Sequence, residues 1–327
     1  MGFNQLGDEI QIEDLKKYAL QSGYPLESEV SKILSRLMPF KTGYQETLRN
    51  YPFETKDELN KPVIRSIDFF VRKQYETTGL KDSSKAIPSR FVQVQFLIDA
   101  KFTTSDAWWF IPDEYGIGQT SFYPFLLPYR KNENSSDALD ELAYLWGDFI
   151  NLTETRPQVP WAHSGKKVGF SRKHNEQLND RDSLSSHQIQ LAQAMMSIAE
   201  KTLENYNDGA IESTFPLYQD PIIFIPLIVT NAPLFLLKQD VNISTVKKAT
   251  VAAEFCTKES ATYLSHPANA SLQSKLHILS KNLRAAEAQG MKLYPSLFTS
   301  SSLIVSLDTF EATITHYLDK FDDFFKT

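Results

Sequence analysis

Cysteine is nearly absent from this chain: Cys256 is the only one among 327 residues. A single cysteine excludes an internal disulfide and a cysteine-built zinc site, and it is typical of a reducing compartment. The N-terminal stretch MGFNQLGDEI contains acids and lacks the apolar segment of a secretory signal. We therefore expect a cytoplasmic protein.

The sequence also lacks a long uninterrupted apolar run. Its most apolar stretch, residues 221–237, is broken by Pro226, Asn231 and Pro233, whereas a membrane helix needs about 20 apolar residues in succession. Positive charge is not in surplus either, because 34 Lys and Arg face 40 Asp and Glu, for a net charge of −6. A protein that coats nucleic acid without specificity is normally basic. We expect no membrane contact, and only local contact with nucleic acid.

Several common catalytic patterns are missing from the sequence. It contains no phosphate-binding glycine loop, dinucleotide fingerprint or serine–histidine–aspartate signature. Its six histidines show no metal-ligand spacing. The chain is nevertheless 42% apolar, which is enough for a large core.

The spacing of apolar residues predicts an α/β protein. A helix is predicted at 25–38, where apolar residues recur every three or four positions. Further elements are predicted as strands at 44–53, 63–73 and 90–102, a helix at 186–206, and strands at 221–230 and 234–238. Three consecutive strands indicate an antiparallel meander, and a strand–helix–strand crossover then adds a parallel neighbour. We expect a mixed sheet flanked by helices.

The chain divides into four parts on this interpretation. They are a first part of the core (1–110), a long insertion (111–185), a core helix with strands (186–240), and a helical extension with a late strand (241–327). Further elements are predicted as helices at 12–21, 136–150, 243–264, 268–288 and 308–326, and a strand at 301–307.

The strand predicted at 90–102 ends in an acid and a base. Side chains alternate along a strand, so Asp99 and Lys101 share its polar face. Asp68 ends the apolar part of the preceding strand, and a hairpin can bring it to Asp99. Two adjacent carboxylates repel each other unless one is protonated or a cation binds them, and Mg²⁺ prefers such oxygen ligands. The pattern indicates metal-assisted hydrolysis with Lys101 offsetting negative charge; the alternative is an ordinary acid–lysine pair at a strand end.

A series of segments extends this pattern. They are SGYPLESEV (22–30), GY (43–44), IRSIDF (64–69), LIDAK (97–101) and AWWF (107–110). Together they resemble the PD-(D/E)XK restriction-endonuclease-like superfamily, and within it the Mrr-like and Holliday-junction-resolvase-like nucleases. The resemblance carries motifs over residues 22–110 and implies an αβββαβ core.

The resemblance also implies roles for single residues. Asp68 and Asp99 would bind Mg²⁺, for which Mn²⁺ can substitute, Lys101 would be the catalytic lysine, and Glu27 would bind the metal directly or through water. Asp99 stands where relatives often have Glu, and the motif's proline is missing before Asp68, but neither departure removes a ligand. Two accessory candidates come from the sequence pattern itself: Glu29 rivals Glu27 on the helix, and Gln95 shares the face of Asp99.

The densest basic segment is HSGKKVGFSRKH at 163–174. Its candidate nucleic-acid contacts are Lys166, Lys167, Arg172 and Lys173. A merely solvated loop fits this segment equally well. The aromatic run at 108–110 fits either the core or a base-stacking platform.

The expected function is a Mg²⁺-dependent DNA endonuclease that hydrolyses phosphodiester bonds with a metal-activated water; DNA as the substrate is implied by the resemblance. Three alternatives remain open. They are a catalytically idle nuclease fold that binds DNA or serves assembly, an RNA nuclease of the same core, and a structural α/β protein with an accidental D-x-K. One active site cuts one strand, so a double-strand cut would require a homodimer or repositioning.

Overall fold

A computed structural model of the chain describes residues 16, 19, 22–38, 45–56, 61–76, 91–103, 106–113, 125–127, 158–169, 184–212, 222–265, 292–293 and 301–326. These residues form a mixed sheet with helices on both of its faces. The α/β class and the mixed sheet flanked by helices are thus confirmed.

The described strands are β1 (Gln45–Lys56), β2 (Pro62–Glu76), β3 (Phe91–Lys101), β4 (Asp106–Pro112), β5 (Phe125–Leu127), β6 (Trp161–Gly169), β7 (Ile222–Thr230), β8 (Leu234–Leu237), β9 (Cys256–Glu259), β10 (Ala261–Ser265), β11 (Lys292–Leu293) and β12 (Ser301–Ser306). The helices are α1 (Tyr24–Leu37), α2 (Leu184–Glu212), α3 (Ile243–Lys248) and α4 (Leu307–Lys326), with a 3₁₀ turn at Ala252–Glu254. The strands pair in the order β1-β2-β3-β7-β12-β10-β6-β4-β8-β9, and β5 pairs with β7 and β11. Over the described ranges, no helix is both long and apolar enough to cross a membrane.

Strands β1, β2 and β3 form the predicted antiparallel meander. The chain then passes through β4 to β6 and helix α2 before β7, which pairs in parallel with β3. Strand β12 adds a further parallel neighbour to β7. A strand with parallel neighbours and helices on both faces is buried on both sides, and every residue of β7 is buried.

Helices cover β3 and β7 on both faces. On one face, Leu191 of α2 packs in a core cluster with Leu97 of β3. On the other face, Val30 of α1 joins a cluster that contains Phe96 and residues of α4. Because side chains alternate along a strand, Asp99 is directed to the same face as Leu97, under α2.

The central strand pair bends into a second pair at one corner. The chain runs from β3 into β4 and from β7 into β8, and the strands of each pair are parallel. Asn231 lies at this corner, where its side chain accepts a hydrogen bond from Thr103 N at 2.8 Å and donates one to Thr103 O at 2.6 Å. One amide side chain therefore joins the two connections at the bend.

The helix predicted at 243–264 is wrong over most of its length. Helix α3 ends at Lys248, and the chain then forms β9 and β10. Strand β10 pairs with β12 and β6, and its Tyr263 and Leu264 are buried in the two core clusters. Pairing with two neighbouring strands outweighs the local helical spacing here.

The segment 111–185, interpreted as an insertion, contributes β5 and β6 to the sheet. The strand and helix predicted at 301–307 and 308–326 are confirmed by β12 and α4. The helices predicted at 136–150 and 268–288, and nearly all of the one at 12–21, lie outside the described residues.

Gly165 of β6 is required by close packing. A Cβ at this position would lie 2.7 Å from Phe110 Cδ1 and 2.8 Å from Leu184 Cδ1, and both of these side chains are buried. We expect Gly165→Ala to lower the free energy of unfolding by about 1–3 kcal/mol, as overpacking does. Urea denaturation would measure this, with the neighbouring Ser164→Ala as the control. Equal stability of the two variants would show that the Phe110 ring yields without cost.

Candidate active site

Strands β2 and β3 separate where the predicted acids lie. Their antiparallel register ends with Phe69 opposite Ile98. Beyond this point β2 continues along β1, and β3 continues along β7. Asp68 and Asp99 are the next residues of the two strands, so both acids lie at a fork in the sheet.

The Asp68 side chain takes the place of a main-chain partner at the fork. Its Oδ2 accepts a hydrogen bond from Ala100 N at 2.6 Å. The carboxylate thus satisfies an amide of β3 that β2 no longer reaches with its backbone. This contact fixes Asp68 against the end of β3. The Asp68 side chain is 20% exposed to solvent.

Asp99 is buried completely beside a lysine. Lys101 Nζ lies 2.6 Å from Asp99 Oδ1 and 3.9 Å from Asp68 Oδ2, and the Asp99 side chain has no solvent exposure. The 2.6 Å contact is an ion pair rather than an aligned hydrogen bond, and neither Asp99 oxygen accepts an aligned hydrogen bond from the described residues. The structure therefore brings Asp68, Asp99 and Lys101 together, as the sequence predicts.

Burial sets the proton affinity of these groups. Burial raises the pKa of Asp99 to about 7; the Lys101 charge opposes this shift, and the adjacent Asp68 carboxylate adds to it. Burial alone would lower the pKa of Lys101, but Asp99 and Asp68 outweigh it and raise that pKa. The lysine is accordingly charged near neutral pH. The acid pair is stabilised by a proton or by a cation.

Glu27 of α1 is coupled electrostatically to Asp68 and Lys101. The helix begins after Gly23, whose positive φ of 77° suits glycine, and Pro25 lies in its first turn. Glu27 is half-buried, and its pKa is raised by burial and by Asp68 and lowered by Lys101. Glu29 is exposed. The electrostatic coupling to Asp68 favours Glu27 as the helix acid of the site.

A histidine from α2 completes the surroundings of Asp99. His187 Nδ1 lies 3.4 Å from Asp99 Oδ2, and its Nε2 lies 3.2 Å from Lys167 Nζ. An ammonium group only donates, so Nε2 accepts and the ring proton lies on Nδ1, facing Asp99. Burial and then the charges of Lys101 and Lys167 lower the pKa of His187 to about 2, which keeps the ring neutral.

Two amide side chains hold the start of α2 above the fork. Gln188 Nε2 donates to Leu264 O at 2.9 Å on β10, and Gln190 Nε2 donates to Ser66 O at 2.6 Å on β2. His187 lies directly before the first of these anchors. Its position over Asp99 therefore follows from the docking of the whole helix end.

The other predicted site residues are placed differently. Gln95 is buried, and its amide donates to Gln93 at 3.2 Å; it lies four residues before Asp99, about 13 Å along an extended strand. The structure does not bring it to the acids. Lys166 is exposed on β6, and Lys167 is half-buried at His187. Arg172 and Lys173 lie outside the described residues.

His187 is the site residue that the sequence reasoning missed. The pattern SHQIQLAQ shows only a helix with an apolar stripe. The crossover rule places that helix over β3, but it does not give the position along β3 at which the helix begins. The contact with Asp99 depends on the docking of Gln188 and Gln190, which no local pattern reveals.

The donor set fits a hard divalent cation. Asp68, Asp99 and Glu27 offer oxygen only, and Mg²⁺ takes one or two carboxylates together with waters and substrate oxygens. Both Asp99 oxygens are buried and lack an aligned donor among the described residues. In that part of the chain, no group of three His, Cys, Asp or Glu side chains is close enough to enclose a metal. The fit is thus to a cation on a carboxylate pair rather than in an all-protein cage.

Comparisons of this chain with protein-family models, curated proteins and solved structures find no match.

The pKa of Asp99 predicts an unusual dependence of stability on pH. The Asp99 carboxyl binds its proton near pH 7 when folded and near its ordinary value of 3.8 when unfolded. Between these values the folded state binds more protons, so this group raises the free energy of unfolding as pH falls from about 7 to about 4. His187 has the opposite effect, because its folded pKa is lowered. A comparison with Asp99→Asn isolates the first contribution.

We expect the unfolding free energy of wild type to rise relative to that of Asp99→Asn as pH falls from 8 to 4, by up to about 4 kcal/mol. Urea denaturation with a chelator present, at pH 8, 7, 6, 5 and 4, would measure this difference. The exposed Asp240→Asn is the control, and its difference from wild type should stay flat. A flat difference for Asp99→Asn as well would mean that Asp99 ionises normally in the folded protein.

Proposed function

We propose that this protein is a Mg²⁺-dependent endodeoxyribonuclease with a restriction-endonuclease-like core. The observation that carries the proposal is the fork between β2 and β3, where Asp68 and the fully buried Asp99 lie beside Lys101. An acid pair with one lysine is the set of site residues that the D-x-K resemblance implies, and here it lies where two strands separate. The order of α1, the meander, α2 and β7 agrees with an αβββαβ core that carries additional strands.

The residues of the fork have distinct roles in this proposal. Asp68 and Asp99 would hold the cation, and Glu27 would add a third carboxylate directly or through water. When bound, Mg²⁺ supplies Lewis-acid stabilisation and lowers the pKa of water. Lys101 remains charged and contributes a positive group that offsets negative charge developing on the phosphate.

Burying these charges costs stability, which favours a functional role for them. An ion pair in a protein interior is often replaced by apolar residues with no loss of stability. Here Asp99 lies between Leu97 and the end of β3, under α2, on a face that carries uncharged Gln93 and Gln95 farther along the strand. A packed sheet does not need a carboxylate at this position, whereas a cation site does.

Cleavage of supercoiled plasmid tests the proposal most directly. We expect nicking with Mg²⁺ or Mn²⁺ that a chelator abolishes, and a loss of about 100-fold or more in Asp68→Asn, Asp99→Asn and Lys101→Met. The matched controls are the exposed Asp240→Asn and Lys247→Met, which should cut like wild type.

Circular dichroism would establish that each variant is folded, and labelled RNA in parallel reactions would test the RNA alternative. Cleavage that survives in Asp99→Asn and Lys101→Met would rule out the fork as the active site. No cleavage of DNA or RNA, together with no divalent-ion binding, would leave the idle nuclease fold as the better description.

His187 acts in this proposal as a positioning residue for Asp99. Its Nδ1–H faces Asp99 Oδ2, while Lys167 holds the other ring nitrogen. Groups that orient a metal ligand typically change metal affinity by about 10- to 100-fold when removed. We expect His187→Ala to weaken Mn²⁺ binding by about 10-fold, measured by calorimetry. His187→Asn, which keeps an N–H toward Asp99, should recover most of the affinity.

The matched variant His187→Gln places its amide toward Lys167 instead and should not recover the affinity. Nitrogen NMR of labelled histidine gives a readout independent of metal, since it reports which ring nitrogen carries the proton. The Nδ1–H form is expected in wild type. The Nε2–H form, or equal Mn²⁺ affinity in the Ala and Asn variants, would remove the positioning role and leave His187 as packing.

A further inference from the structure

A row of paired residues crosses four strands on the side of the sheet away from His187. Lys166 of β6 pairs with Trp109 of β4, Trp109 pairs with Phe235 of β8, and Phe235 pairs with Lys258 of β9. Residues directly opposite each other on neighbouring strands share a face. The four side chains therefore form a continuous line, with a lysine at each end and two aromatic rings between them.

The rings of this row form a stack with solvent access. Trp109 and Phe235 have ring centroids 4.8 Å apart at an interplanar angle of 25°, and Phe255 adds a third ring 6.0 Å from Trp109 at 7°. All three aromatic residues are partly exposed, and both lysines are exposed. The three rings thus lie against one another, and each residue keeps part of its surface open to solvent.

The paired positions that flank the row on this face of the sheet are apolar or uncharged. The flanking positions on the same register are Ile111, Val168 and Leu237, of which Ile111 and Val168 are 43% and 44% exposed. Among the described residues paired along this face in β6, β4, β8 and β9, none is Asp or Glu. In a chain of net charge −6, paired positions whose only charges are two lysines are a local reversal of sign.

We propose that this row, which we name the Lys–aromatic row (Lys166, Trp109, Phe235 and Lys258), binds an unpaired nucleic-acid strand. Unpaired bases stack on aromatic side chains and lysines contact the phosphates, which is how proteins bind single strands without sequence preference. A duplex offers phosphates but no exposed base faces, so it uses only half of the row. The inference takes its ligand class from the proposed function, but it concerns a separate face and does not require catalysis.

The two ends of the row explain why a nucleic acid fits better than a second protein chain. Lysine is depleted in protein–protein interfaces relative to the rest of the protein surface. Here the only charges of the row are positive and lie at both ends of a ring stack. A single strand can place bases against the rings and phosphates against the lysines.

Binding of a labelled oligonucleotide to the full chain tests the inference without cleavage. The Asp99→Asn background with a chelator prevents cutting, and fluorescence anisotropy gives Kd for single-stranded DNA, single-stranded RNA and duplex DNA over a range of salt. We expect Lys166→Met and Lys258→Met each to reduce the slope of log Kd against log salt by about 0.7. Trp109→Leu and Phe235→Leu should each weaken single-strand binding by about 10-fold.

Matched controls are Lys32→Met on the exposed side of α1 and Trp161→Leu, whose ring stacks on Tyr263 instead; both should bind like the parent. Trp109 also provides a signal of its own, because a stacked base quenches indole fluorescence. The chain has four Trp, so the quenched fraction that disappears in Trp109→Phe is assigned to this residue.

Each outcome decides between the two proposals. If the row variants bind and quench like the parent, the row is not a nucleic-acid surface, even when plasmid cleavage supports the active site. If they lose single-strand binding while wild type cuts nothing, the row stands and the nuclease fails. If duplex binding depends on the row as strongly as single-strand binding does, or if the row variants change the oligomeric state in light scattering, the inference of an unpaired strand is overturned.

Discussion

A carboxylate without solvent exposure, placed at the end of a central strand, constrains everything around the fork. Asp99 cannot keep its charge there unless neighbouring groups compensate for the lost hydration, since the desolvation of an ion costs several kcal/mol. Lys101 lies at one of its oxygens and His187 at the other. The position of each compensating group depends in turn on a whole element. Lys101 is the last residue of β3, and His187 is placed by the docking of α2.

The separation of β2 from β3 is the second part of the same constraint. If the two strands remained paired, backbone hydrogen bonds would close the space between the acids. Instead, the Asp68 carboxylate accepts a hydrogen bond from Ala100 N. This contact satisfies the amide while the two strands stay apart. The sheet loses main-chain pairing at this point, and the ammonium group of Lys101 lies near both acids, 2.6 Å from Asp99 and 3.9 Å from Asp68. The fork is therefore a property of topology, and the acids complete it.

The sequence predicts the fork better than it predicts the far side of the sheet. Strict alternation in FVQVQFLIDAK fixes β3 and the shared face of Asp99 and Lys101, and the meander and crossover rules place Asp68 and α2 near them. The alternation in WAHSGKKVG is interrupted by glycine and lysine, so β6 has no clear signal. Strands β9 and β10 resemble helix in their local spacing and become strands because β8, β12 and β6 pair with them. His187 and the Lys–aromatic row depend on such distant pairings and could not be predicted from a local pattern.

Two doublets in the sequence gain meaning from strand alternation. Trp108 and Trp109 are consecutive in β4, and Lys166 and Lys167 are consecutive in the paired strand β6. Consecutive residues of a strand point to opposite faces, so each doublet is divided. Trp108 and Lys167 lie together on the inner side, where Lys167 Nζ is 5.5 Å from the Trp108 ring and contacts His187.

Trp109 and Lys166 lie together on the outer side, in the Lys–aromatic row. One pair of strands thus provides a lysine with an aromatic partner to both faces. A shift of this pairing by one residue would exchange the two sets and place Lys166 at His187, so the register of β4 with β6 must be held firmly. The close approach of Gly165 to Phe110 in the adjacent pair favours this register, because the neighbouring Ser164 and Lys166 would each bring a Cβ to that position. A glycine in the middle of a strand, ordinarily a weakness, here favours the register that places Lys166 and Lys167 on opposite faces.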